Sequence, residues 1–98
     1  MGGHYQAAGH AHFLQRFLRE GLDLQSAVDA PRLFAFGPAV QVEDGIDRQV
    51  VEHLRSRGHA IERAESTLGG AQAIWIDHER GVLVGGSDPR KDGCALGY

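Results

Sequence analysis

Apolar residues early in the chain recur at helical spacing. Ala7, Ala11, Leu14, Phe17 and Leu18 fall on one stripe, which predicts a helix over His4–Glu20. Gly21 is placed to stop it, and Arg16 and Arg19 suit the negative end of its dipole. Asp23 then caps a short second helix that runs to Ala30 and ends before Pro31. Leu33–Pro38 has no regular period and reads as a packed aromatic loop. Ala39–Glu43 alternates as a strand. Asp47 caps a third helix, with Ile46 stapled onto Val51 and Val50, Val51 and Leu54 as the buried stripe, and Gly58 ends it. Ala60–Glu65 predicts a strand. Ala71–Ile76 and Val82–Gly86 predict a hairpin turning through Asp77-His78-Glu79-Arg80-Gly81. Val82-Leu83-Val84 is apolar on both faces, the mark of a central strand. The order is α-α-β-α-β-β-β, an α+β arrangement, closed by a tail rich in turn formers.

Composition narrows the function classes. The chain has 98 residues, enough for one domain or a piece of a larger one. A chain of this size hides roughly 60–70% of its unfolded surface, enough for one modest core. Apolar residues make up 42% and charged residues 23%, as in globular domains, and the net charge is −3. The basic residues are scattered among acids, as in Asp47-Arg48 and Glu62-Arg63, so no nucleic-acid partner is expected. No apolar run approaches the roughly 20 residues of a membrane helix, so no membrane partner is expected either. A single cysteine, Cys94, allows no internal disulfide and reads as an incidental small residue.

Two kinds of chemistry could reside near the start. His4, His10 and His12 are spaced H-x5-H-x-H. On a helix, His10 and His12 point about 200° apart and cannot share one ion, and no cysteine or carboxylate completes the set, so no metal is expected. The pair Gly2-Gly3, entering a helix, can instead aim consecutive backbone N–H groups at one point, where a carboxylate or a developing oxyanion would sit. Gly69-Gly70 and Gly85-Gly86 are further pairs suited to close backbone approach. In Ser87-Asp88-Pro89-Arg90 no base accompanies the serine. The segment reads as a turn in which Asp88 accepts hydrogen bonds and Arg90 supports it, and Arg32 takes a similar structural role after Ala30-Pro31.

Taken together, MGG followed by a helix, then GLDLQSAVDAPR, GGAQAIWID and GVLVGGSDPRKDGCALGY, resembles the C-terminal half of the small subunit of γ-glutamyltransferases. The resemblance covers essentially all of the chain. Its most specific pieces are Asp29-Ala30-Pro31-Arg32 and Gly85–Arg90 through Gly97-Tyr98. It implies one partial domain over residues 1–98, part of an αββα sandwich of the N-terminal-nucleophile hydrolase type. It also implies a self-cleaving precursor whose newly exposed threonine attacks a γ-glutamyl amide such as glutathione, with no cofactor. Gly2 and Gly3 match the family's oxyanion-hole pair. The family's threonine and glutamyl-binding residues lie in a segment that would precede Met1, and Thr67, internal and without a free α-amino group, does not replace that nucleophile. The implied partners are a γ-glutamyl small molecule or peptide and an upstream segment or large subunit. The alternative is a catalytically inactive remnant that self-associates into a homo-oligomer. The compartment is left open.

Overall fold

The computed structural model describes residues 6–91 and 93–97, apart from the Phe36 side chain. Gly2, Gly3 and His4 lie outside the described residues. The chain divides into two compact units, one formed by residues up to Ala30 together with those from Gly69 onward, the other by Pro31–Leu68.

The first unit opens with α1 (Gln6–Leu14), which runs directly into a π-helical stretch, Gln15–Arg19. The Glu20 N–H reaches back to the Gln15 carbonyl at 3.0 Å, the wider spacing that defines that stretch. Gly21, at φ +75°, then turns the chain. Helix α2 (Leu24–Asp29) starts on Asp23, whose carboxylate accepts from the Ser26 N–H and hydroxyl, both at 2.8 Å. These bonds, the backbone one first, hold Asp23 below the usual carboxylate range. Helix α2 buries Leu24, Ala27 and Val28. Strands β4 (Gln72–Asp77) and β5 (Val82–Ser87) pair antiparallel from Gln72↔Ser87 to Asp77↔Val82. Their turn is closed by Gly81 at φ +67° and by Asp77, which accepts from the Arg80 backbone and side chain.

Register sorts the hairpin into two faces. Trp75, Val84 and Gly86 share the inner one. Trp75 meets Phe17 edge-on at 5.2 Å between centroids. A Cβ on Gly86 would stand 3.2 Å from Leu24 Cγ, so a side chain there would require Leu24 to give by a few tenths of an ångström. Ile74, Ile76 and Leu83 share the outer face and remain 71%, 54% and 69% exposed.

The second unit is a β-β-α-β module. β1 (Leu33–Phe36) and β2 (Ala39–Val42) form a hairpin through Gly37-Pro38, with Gly37 at φ +72°. From β2 the chain enters α3 (Arg48–Ser56), capped by the Asp47 carboxylate on the Gln49 N–H at 2.8 Å. It returns as β3 (Ile61–Arg63), parallel to β2 with Val40↔Ile61. Val42, Ile46 and Val51 form the core, flanked by Leu33, Val40 and Ile61.

The α+β class is the one expected, with one strand more. Leu33–Phe36 is a strand rather than a loop, because backbone pairing across a two-residue turn needs no apolar alternation. Three burial expectations are corrected. The α1 stripe is largely exposed, with Leu14 and Leu18 open to solvent, and beyond Leu14 the π-helical stretch also breaks its 3.6-residue phase. Val50 is exposed while Val51 is buried, since one helical step turns a side chain by about 100°. Among the described residues β5 pairs only with β4, so its apolar run does not make it a central strand.

Val42→Ala, at a fully buried position, is expected to cost about 2 kcal/mol by the loss of two methyl groups and the cavity left behind. Urea unfolding checks this, and a loss below about 0.5 kcal/mol contradicts it. Asp23 is more acidic folded than unfolded, so its capping contribution is full above its unfolded value of 3.8 and fades as pH falls through the lower folded value. The helicity difference between wild type and Asp23→Ala, followed by circular dichroism, is therefore expected to be constant near neutrality and to shrink in strong acid.

Candidate functional site

The Ser87-Asp88-Pro89-Arg90 segment leaves the end of β5 and places Asp88 wholly out of solvent. A carboxylate there must be answered by donors. Asp88 Oδ2 accepts from the Ala71 N–H at 2.8 Å. Oδ1 accepts from the Arg90 N–H at 2.9 Å and from Arg90 Nη1 at 3.0 Å. The Asp88 N–H donates to the Ala71 carbonyl at 3.1 Å, so the two residues are joined in both directions. The Arg90 guanidinium also donates to the Val28 carbonyl at 3.0 Å and the Ala30 carbonyl at 2.9 Å. These carbonyls end α2, where a cation meets the negative pole of the helix.

Gln25, which the sequence did not single out, fastens the preceding residue. Its side-chain oxygen accepts from the Ser87 N–H at 3.0 Å and its amide nitrogen donates to the Ser87 carbonyl at 2.7 Å. The Ser87 hydroxyl is buried and makes no hydrogen bond among the described residues, so it is not presented to solvent as a nucleophile would be. Two glycine positions nearby are closely approached by other side chains. A Cβ on Gly70 would stand 2.6 Å from the Lys91 side chain, and one on Gly85 would stand 2.9 Å from Ala95 Cβ.

In the second unit, Arg32 is buried and its guanidinium donates to the Leu68 carbonyl at 2.7 Å. Its backbone N–H donates to Glu43 Oε1 at 2.8 Å, and Glu43 Oε2 accepts from the Leu68 N–H at 2.8 Å. Sequence reasoning missed Glu43. Its one signal is an acid continuing an alternating strand directly after the inward Val42. Thr67 is exposed, as is Cys94. Among the described residues no three His, Cys, Asp or Glu side chains gather as metal ligands would.

A family model described as Gamma-glutamyltranspeptidase matches residues 1–98. The chain belongs to the gamma-glutamyltranspeptidase family. Among curated members, the glutathione hydrolase proenzyme of Bacillus subtilis is 33% identical over 78 residues, which cover 79% of this chain and 13% of that protein. The Acylase ACY 1 proenzyme of Pseudomonas sp. (strain V22) is 36% identical over 75 residues, 76% of this chain and 13% of that one. The crystal structure of cephalosporin acylase from Bacillus halodurans superposes with a TM-score of 0.88 at 38% identity, covering all of this chain and 19% of that one. The chain thus spans about one-eighth of the length of the curated relatives it matches first. The fold is that of the N-terminal-nucleophile gamma-glutamyltranspeptidases, in keeping with the resemblance read from the sequence.

Asp88→Asn and Arg90→Ala each strand a buried polar partner, and each is expected to lower stability by about 2–4 kcal/mol. Thermal melts check this, and midpoints equal to wild type for both variants contradict it.

Proposed function

We propose that this chain is the C-terminal portion of the small subunit of a γ-glutamyltransferase-like enzyme, which transfers or hydrolyses γ-glutamyl groups through an N-terminal threonine carried by the rest of the protein. The observation that carries this reading is the family match over residues 1–98. The threonine hydroxyl attacks the amide carbonyl, its proton passes to the departing amine, and an ester to the enzyme remains. Water or an acceptor amine then attacks that ester and releases the acyl group. Gly2 and Gly3 are assigned the backbone N–H groups that hold the oxyanion in both steps. Arg32, Asp88 and Arg90 are assigned scaffold roles, supported by their burial and bonding. No metal or organic cofactor takes part.

The partners in this reading are the γ-glutamyl substrate, a small molecule or peptide, and the upstream segment or large subunit. Glutathione hydrolases and acylases both stand among the relatives, which supports amide cleavage as the shared chemistry.

The 98-residue chain alone is expected to leave γ-glutamyl-p-nitroanilide intact, and its assembly with the upstream segment to cleave it. In the assembled protein, Gly3→Val is expected to lower kcat by about 10²–10³ with the fold retained. Wild-type turnover in that variant overturns the oxyanion assignment. Cleavage by the chain alone, or none after assembly with the upstream segment, overturns the proposal itself.

A further inference from the structure

We infer that the tail from Lys91 to Ala95 is a strap, lightly closed over one end of the outer face of the hairpin, and that the buried Ser87 hydroxyl biases it toward opening. The register places Gln72, Ile74 and Ile76 on that face together with Ser87, Gly85 and Leu83. The Lys91 N–H donates to the Asp88 carbonyl at 3.1 Å, closing a turn with Pro89 at its second position. Three contacts then mark the path of the tail, all inside the first unit. The stem of Lys91 lies on Gly70, where an added Cβ would stand 2.6 Å from Lys91 Cγ. Gly93 lies against the Ser87–Gln72 pair, and a Cβ on it would stand 3.2 Å from Ser87 Oγ and 3.6 Å from the Gln72 side-chain amide. Ala95 covers Gly85, with its Cβ 2.9 Å from where a Gly85 Cβ would be. Beyond it Leu96 is 90% exposed, and Ile74, Ile76 and Leu83 stay open, so the strap reaches only the Ser87 end of the face.

Two features make this closure light. Residues 93–97 are all exposed, so the strap gains little from burial of its own side chains. The Ser87 hydroxyl against Gly93 is cut off from water and has no hydrogen-bond partner among the described residues. A hydroxyl in that state carries a desolvation cost, which hydration on opening relieves. Ser87 thus opposes the strap that lies on it, while Gly85 leaves room for it. Release of the strap rehydrates Ser87 and extends the bare strip already formed by Ile74, Ile76 and Leu83.

Lys91 is the only lysine in the chain, so a lysine-specific endoproteinase cuts the native protein at one place, the start of the strap. At low protease its rate follows the open population. Ser87→Ala removes the hydroxyl and is expected to slow this cleavage about threefold or more. Gly85→Ala brings a methyl to 2.9 Å from Ala95 Cβ and is expected to speed it about fivefold or more. Adding Ala95→Gly to Gly85→Ala removes that clash and is expected to reverse at least half of the gain. Hydrogen exchange of the β4 and β5 amides, read by mass spectrometry, is expected to stay within about twofold of wild type in all three, which separates strap opening from unfolding of the hairpin. Cleavage of Ser87→Ala at or above the wild-type rate, an unchanged rate in Gly85→Ala, or β4 and β5 exchange rising in step with cleavage overturns the inference.

Discussion

A carboxylate withdrawn from water loses the solvation that made it comfortable as an ion, and the structure must supply donors in its place. This chain meets that demand twice, in each case with at least one main-chain N–H group from a distant part of the sequence. Asp88 gathers Ala71 and Arg90, and Glu43 gathers Arg32 and Leu68. Each acid thereby fixes where segments remote in sequence must meet. In a protein with so small a core, bonds of this kind do much of what buried hydrocarbon does in larger domains. The strand ends, the end of α2 and the limits of the central module all follow from where these two side chains sit.

The arginines complete the arrangement in different ways. Arg90 neutralises Asp88 and spends its remaining donors on the carbonyls that α2 leaves unpaired, so one side chain serves a buried ion and a helix terminus at once. Arg32 uses its guanidinium on the Leu68 carbonyl and its backbone on Glu43. A lysine could not replace Arg90, since a single ammonium cannot reach several acceptors in a planar fork. The two most specific motifs behind the family resemblance, around Arg32 and from Gly85 to Arg90, are therefore also the places where buried polar groups are most densely bonded.

What could be read from the residues depended on how local the cause was. The caps at Asp23 and Asp47 were legible because a side chain two or three residues ahead of a donor carries its own geometry. The hairpin around Gly81 was legible for the same reason. β1 was not, because its pairing rests on the backbone and on a turn at Gly37-Pro38 rather than on any alternation in Leu33–Phe36. Glu43 was hidden because its partners lie 11 and 25 residues away, a separation no local pattern reports. The apolar run of β5 was visible, but periodicity alone does not say that Leu83 stays open to solvent in this chain.

The π-helical stretch from Gln15 to Arg19 sets how a change of length here would be absorbed. Such a stretch holds one residue more than the α-helical path between the same endpoints. It is therefore a register reserve: a member shorter by one residue here could run straight through as ordinary α-helix. Such a deletion would swing the position of Phe17 away from Trp75.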